Sequence, residues 1–359
     1  MLLSRGVSGL RRASIPSVTA VVPCRNEAAY IETCLRSLLD QEEPPGGIEV
    51  LAVDGLSEDG TREIITRLAA QDSRLTLVDN PRRITPCGMN VGIRASRSPY
   101  VAILGAHAEY ARDYLRQVVL VLDDRPDVAC AGGPIESRGR SLFGRATALA
   151  MSHPLGVGNA KHRFPQYEGY AEGACYPVFR KAVIEKLGLY DERLLRNQDD
   201  ELNLRLAQAG ERVYLTPKAR SVYYVRDTPG ALFRQYFDYG LWRVAVLRKH
   251  GRVASLRQLV PAGLVVACAL SLGAPLVVPA PWSLLLLAVP AAYATGLLAG
   301  GIAAGRKHGR RLGARFPAAV AILHWAYGLG FLTGLPRFSL GLRPSERREP
   351  DAGEAARAS

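Results

Sequence analysis

Val18-Thr19-Ala20-Val21-Val22-Pro23, followed at once by Cys24-Arg25-Asn26-Glu27, opens the part of the chain whose pattern sets the fold. A short β-branched apolar run without polar alternation reads as a strand buried on both faces, and Pro23 ends it. Ile31, Leu35 and Leu38-Leu39 then recur at helical spacing. The unit repeats: Ile48-Glu49-Val50-Leu51-Ala52-Val53 is a second strand, Asp54-Gly55-Leu56-Ser57-Glu58-Asp59-Gly60-Thr61 a turn, and residues 62–70 a second helix. Strand, helix, strand, helix predicts an α/β chain with a doubly wound, mostly parallel sheet, and ligands at the carboxyl ends of its strands. Further strands are expected at 75–78, 100–104, 128–132 and 212–217, with 133–140 as a linker and 153–170 as a mobile loop.

Asn197-Gln198-Asp199-Asp200-Glu201-Leu202-Asn203-Leu204-Arg205-Leu206 places three consecutive carboxylates in the first turn of a helix that Leu202, Leu206 and Ala209 define and Gly210 closes. One reading is capping, with Asn197 as N-cap and each acid contributing about 0.3–1 kcal/mol against the helix dipole. Before it stands Gly188-Leu189-Tyr190-Asp191-Glu192-Arg193-Leu194, and after it the short strand Arg212-Val213-Tyr214-Leu215.

In that setting the acidic helix resembles the acceptor half of family 2 glycosyltransferases, whose pattern is Phe-Asp-Glu, then Glu-Asp-x-x-Leu-x-x-Arg-Leu, then Gly-x-x-Val. The pair Pro23-x-Arg25-Asn26-Glu27 and Asp54-Gly55-x-Ser57-x-Asp59-Gly60-Thr61 is similar to the nucleotide half of the same family, and Thr85 to Ser96 to the segment beneath the donor. The likeness covers about residues 18–245. It implies a GT-A, Rossmann-like domain that inverts the anomeric carbon while moving a sugar from a nucleotide-diphosphate donor such as a UDP-sugar. Residue by residue it puts the general base at Asp199 and nucleotide contacts at Pro23, Arg25, Glu27, Asp54 and Asn90. Acceptor or diphosphate contacts fall at Asp200, Arg234, Trp242 and Arg243. The run from Leu232 to Arg243 also reads as an amphipathic helix for a membrane surface. Gly55 departs from the family, which commonly has a second Asp there.

A larger departure follows the strand at 100–104, where the resemblance calls for a metal-binding Asp-x-Asp and the chain has Gly105-Ala106-His107-Ala108-Glu109-Tyr110. Ala-His-Ala-x-Tyr is similar to the ExoA-like branch associated with exopolysaccharide assembly, although that branch keeps an Asp at the place of Gly105. The cofactor expected is a divalent cation, Mg²⁺ or Mn²⁺, with His107 as ligand and Glu109 beside it. A structural histidine at a strand end is the other reading.

The 359 residues carry a formal charge of +13, and the arginines are spread along the chain or beside apolar runs rather than among stacking aromatics. Anionic lipid is therefore the expected partner, not nucleic acid. Residues 258–305 contain no Asp, Glu, Lys or Arg. As helix they would extend roughly 70 Å, about twice a hydrocarbon core, so two crossings are expected, divided near Pro279-Ala280-Pro281-Trp282. A third apolar run, 316–336, crosses or re-enters. Arg306-Lys307-His308-Gly309-Arg310-Arg311 places the N-terminal domain in the cytoplasm, on a multi-pass inner-membrane protein. The six cysteines show neither zinc nor disulfide spacing.

The expected domains are a basic lead (1–17), a GT-A domain (18–256) with nucleotide half (18–132) and acceptor half (133–256), a membrane region of two to three transmembrane helices (257–336) and a polar tail (337–359). The partners implied are a nucleotide-sugar donor and a saccharide acceptor on a polyprenyl diphosphate. A competing reading is a non-catalytic, membrane-anchored nucleotide-sugar-binding or assembly protein that has lost the metal motif.

Overall fold

The computed structural model describes residues 17–251 and 255–339. The basic lead, save residue 17, and the polar tail beyond residue 339 lie outside the described residues. Among the described residues there are eleven strands: β1 (Val18–Cys24), β2 (Ile48–Asp54), β3 (Leu75–Asp79), β4 (Tyr100–Ile103), β5 (Ala108–Tyr110), β6 (Val128–Gly132), β7 (Ile135–Arg138), β8 (Gly169–Ala171), β9 (Val178–Arg180), β10 (Arg212–Leu215) and β11 (Ser221–Tyr224). Eight form one sheet in the order β3-β2-β1-β4-β9-β6-β10-β8. Within it β1 lies parallel to both β2 and β4, and β6 to β10, while β9 runs antiparallel to β4 and β6.

Burial explains the apolar runs. Val18, Ala20, Val21 and Val22 are all at 0 % exposure because helices cover both faces of β1. Val18, Ala20 and Val22 pack with Ile31, Leu35, Ile65 and Leu68 on one side. Val21 faces Met89, Ile93, Leu202 and Leu206 on the other, so the acidic helix Gln198–Gln208 belongs to the same layer as the helix Thr85–Ala95.

A second sheet, in the order β5-β11-β7, lies beyond the end of β4. The expected linker at 133–140 contains its strand β7, which pairs parallel with β11. The segment expected as a mobile loop holds two short helical turns, Pro154–Val157 and Lys161–Arg163, and Leu155 packs in the cluster of Phe316 and Leu323.

Two helical stretches, Trp282–His308 and Arg310–Ser339, are long and apolar enough to cross a membrane by length and composition. The first crossing expected within 258–305 is a shorter apolar helix, Val260–Leu276. Pro275, Pro279 and Pro281 crowd its end and remove the donors a longer helix would need. The last helix, Phe316–Ser339, is not free-standing, because it packs along Pro229–His250 with backbone against backbone. A Cβ added at Gly330 would lie 2.0 Å from the Phe237 carbonyl oxygen, and one at Gly240 would lie 2.0 Å from that of Tyr327.

That closeness makes a specific demand on stability. Gly330→Ala is expected to destabilise by about 1–3 kcal/mol through overpacking. Gly263→Ala, where an added Cβ meets nothing within 4 Å, is expected to leave thermal unfolding of the detergent-solubilised protein unchanged.

Candidate active site

The three carboxylates of the acidic helix have three different fates. Asn197 does stand at the N-cap position, but with φ 59 and without a side-chain capping bond. Its amide instead donates to the Tyr239 carbonyl at 2.8 Å. The side-chain cap expected of Asn197 is therefore not made, while all three acids do stand in the helix's first turn.

Glu201 is wholly buried and surrounded by cations. Arg205 donates to it from Nε at 2.9 Å and from Nη2 at 2.7 Å, Lys249 Nζ lies at 2.7 Å, and His250 Nε2 at 2.9 Å. Asp200 is paired with the buried Arg243. Asp199 is left over. Protein crowding first, then the charge of Asp200, push its pKa up to about 7, against the pull of the Tyr190 hydroxyl, and no cation is among the groups that shift it. It is nevertheless exposed to solvent.

The loops after β1 and β2 form the rim expected from the sequence, and side chains bind them together. Ser57 Oγ accepts from Asn26 N at 2.8 Å, Thr61 Oγ1 from Glu27 N at 2.8 Å, and Asp59 Oδ2 from Ala28 N at 3.0 Å. Asp54 is at 0 % exposure, with Arg62 Nη1 donating at 2.8 Å and Ser57 N at 3.0 Å. Its oxygens are committed within the loop, so direct contact with a base would displace one of these donors. Arg25 lies across Gly55, where a Cβ would meet its side chain at 3.2 Å. The glycine that replaces the family's second Asp thus makes room for the arginine. Pro23 is half-buried and does not end β1 as expected, because the strand pairs on through Cys24 with Asp54.

His107 reaches back to this rim, with Nδ1 3.3 Å from Glu27 Oε1. Glu109, expected beside it, turns to the second sheet and accepts from the Tyr224 hydroxyl at 2.8 Å. Tyr176 covers Gly105: a Cβ there would lie 3.1 Å from its Cε1. Among the described residues no three His, Cys, Asp or Glu side chains converge as a metal site. His107 and Glu27 carry an imidazole nitrogen and a carboxylate oxygen, donor types that Mn²⁺ accepts.

Other expected contacts are placed elsewhere. Asn90 is buried and joins the two halves of the domain, donating to Tyr190 O and Glu192 Oε1 at 2.9 Å each and accepting from Tyr190 N at 3.0 Å. Trp242 is core, packed with Leu194, Leu204 and Phe338. Arg234 is exposed. A residue not anticipated from the sequence, Arg163, is half-buried with its guanidinium against the Tyr223 ring and its Nη1 buried.

Residues 19–188 match the family model described as glycosyl transferase family 2. The chain is 37 % identical over 248 residues to the succinoglycan biosynthesis protein ExoA of Rhizobium meliloti, covering 67 % of this chain and 73 % of that one. The chain belongs to glycosyltransferase family 2. This transferase is also 27 % identical over 243 residues to the dolichyl N-acetyl-α-D-glucosaminyl phosphate 3-β-D-2,3-diacetamido-2,3-dideoxy-β-D-glucuronosyltransferase of Methanococcus voltae, covering 65 % of this chain and 74 % of that one. Its fold is that of the mannosyltransferase PcManGT of Pyrobaculum calidifontis, solved with GDP-Man and Mn²⁺, at 24 % identity and TM-score 0.57 over 86 % of this chain and 87 % of that one. The GT-A architecture read from the sequence is therefore the architecture of the transferase.

The raised pKa of Asp199 has a sign that can be measured. The folded form holds this proton more tightly than the unfolded chain, so the stability it contributes is present below the ordinary aspartate range and lost as pH rises through about 7. Asp199→Asn is expected to raise the melting temperature relative to wild type at pH 8 and to leave it unchanged at pH 4. Equal melting temperatures at pH 8 would contradict this electrostatic picture.

Proposed function

We propose that this transferase moves a sugar, with inversion, from a nucleotide-diphosphate donor such as a UDP-sugar to a hydroxyl of a lipid-linked or growing polysaccharide acceptor at the cytoplasmic membrane face. The observation that carries the proposal is the partition of the acidic triplet, in which Asp199 alone is without a cation and open to solvent. A base with a pKa near the working pH is suited to take the proton of a sugar hydroxyl.

In the step proposed, the acceptor oxygen attacks the anomeric carbon as its proton passes to Asp199. The bond to the diphosphate breaks, and its electron pair leaves with the nucleoside diphosphate. Pro23, Arg25 and Glu27 lie on the rim proposed to seat the nucleotide, while Asp54 holds the second loop of that rim in shape. Asn90 acts as a positioning residue, because it ties the Tyr190–Glu192 turn to the donor half. Asp200 and Arg243 hold the helix end so that Asp199 faces the reacting hydroxyl. A divalent cation, when bound, would be held by His107 and Glu27 and would supply positive charge toward the leaving diphosphate.

Membrane attachment is supported by the apolar surface of 260–308, where Leu270, Leu276, Val277, Trp282, Leu298 and Ile302 are all exposed. An acceptor on a polyprenyl carrier accords with a relative whose name specifies a dolichyl-linked substrate. The competing reading, a non-catalytic binding or assembly protein, is favoured by Tyr176 closing over Gly105. Incubation with labelled nucleotide sugars and a lipid extract separates the two, since only an enzyme labels the lipid fraction.

Asp199→Asn is expected to lower turnover by roughly 10²–10⁴-fold with donor affinity retained. In the wild type, turnover should rise with pH through about 7, the pKa of the base. Asp200→Asn removes a like charge beside that base, so the acid limb should move to lower pH. Full turnover by Asp199→Asn would place the base elsewhere.

A further inference from the structure

Arg163 occupies a site that the function above leaves unused. It ends the short turn Lys161–Arg163, and its guanidinium carbon stands 5.6 Å from the Tyr223 ring centroid. The groups acting most strongly on its charge are Tyr236, Cys175, Tyr223 and Tyr239, so aromatic rings and a thiol surround it rather than carboxylates. Nη1 is buried without a hydrogen-bond partner among the described residues. Nearby polar atoms are similarly unmet: Gln235 Oε1 is buried without a partner although its Nε2 donates to the Tyr223 hydroxyl at 3.0 Å, and Arg243 Nε is buried unpartnered as well.

A guanidinium cannot shed its proton to escape this cost. Tyrosine faces offset part of it through cation–π attraction, but an enclosed cation normally has an anion. The surroundings indicate where that anion would sit. Cys175 feels the charges of Arg163, Asp199 and Asp200 together. Tyr176, next in sequence, feels Arg163 and covers Gly105 at the end of β4. The charge of Arg163 thus reaches the Cys175–Tyr176 segment, which also feels Asp199 and covers the place where the family's metal-binding aspartate is missing.

We propose that Arg163 is the binding cation for a diphosphate group in this chamber, its fork of N–H donors engaging phosphate oxygens. This rests on the transferase reading above, and it assigns part of the counter-charge to the chain's own arginine. Two sources share the chemistry. One is the donor's nucleoside diphosphate, whose oxygen receives the electron pair when the glycosidic bond breaks. The other is the diphosphate of a lipid-linked acceptor, reaching in beside the apolar helix that Leu155 of the same segment packs against.

The full-length protein in detergent, with MnCl₂ throughout, is titrated calorimetrically with UDP, GDP, UMP and farnesyl diphosphate. Arg163→Gln is expected to weaken one class of diphosphate by about tenfold or more, the loss typical of a charge-assisted hydrogen bond, and UMP by much less. Arg163→Lys keeps the charge but not the fork, and should fall between wild type and Arg163→Gln in diphosphate affinity, a ranking by charge that a packing role would not give. Loss confined to UDP or GDP assigns the donor, and loss confined to farnesyl diphosphate assigns the lipid carrier. Equal binding of every ligand by wild type and Arg163→Gln overturns the inference alone. Failure of the wild type to bind any diphosphate overturns the transferase reading along with it.

Discussion

A buried carboxylate, Glu201, fixes the geometry on which the site depends. At 0 % exposure it must be neutralised, and Arg205 and Lys249 converge to do so, with His250 Nε2 at hydrogen-bond distance. Taking charges out of water is costly, and losing one partner of such a set typically costs about 3–5 kcal/mol. Arg205 also donates to the Leu189 carbonyl at 2.6 Å, and Lys249 also meets Asp191 at 2.7 Å. The same cations thus clamp the acidic helix to the preceding turn and to the helix Pro229–His250. Asp200 consumes Arg243 in the same manner. What these pairings leave is one carboxylate with nothing to neutralise it, and a group in that condition takes up a proton easily.

The helix Pro229–His250 joins this chemistry to the apolar part of the chain. One side carries Arg243, Lys249 and His250 to the acidic helix, and Tyr236 and Tyr239 to the chamber of Arg163. The other side lies against Phe316–Ser339 at glycine contacts that leave no room for a methyl group. A rigid, close-packed seam of this kind transmits position rather than absorbing it. Through it, the placement of an apolar helix sets the placement of the catalytic layer.

Much of this was legible in the sequence where burial imposes a pattern. β1, β2 and β6 read correctly because a strand covered on both faces must be largely apolar, and the turn after β2, with its two Asp-Gly dipeptides, marked the rim. β5, β7 and β11 were missed, since strands of three or four residues take their stability from pairing with distant segments and carry little periodicity. The acids at 199–201 were visible as a cluster, and Arg205, four positions after Glu201, is a local partner; the others, at 243, 249 and 250, are more than forty positions away, so the commitment of Asp200 and the freedom of Asp199 could not be read locally. Asn90 was legible within the segment beneath the donor, and Asp54 at the turn after β2. Only coordinates reveal that their side chains are committed to Tyr190 and to Arg62. Arg163 sits in a Gly/Pro/His-rich stretch with no motif, and its signal, a cation enclosed by tyrosines from β11 and a later helix, exists only in three dimensions.

The central claim is that the carboxylate of residue 199 and the rim at 23–27 and 54–61 face one bound nucleotide sugar from opposite sides. An experimental structure of the protein with a non-hydrolysable nucleotide-sugar analogue measures this directly. The account predicts the sugar's anomeric carbon between the rim and residue 199, with that carboxylate still free of protein cations. Density for the nucleotide away from the rim, or the oxygens of residue 199 drawn into an ion pair with the protein, would contradict it.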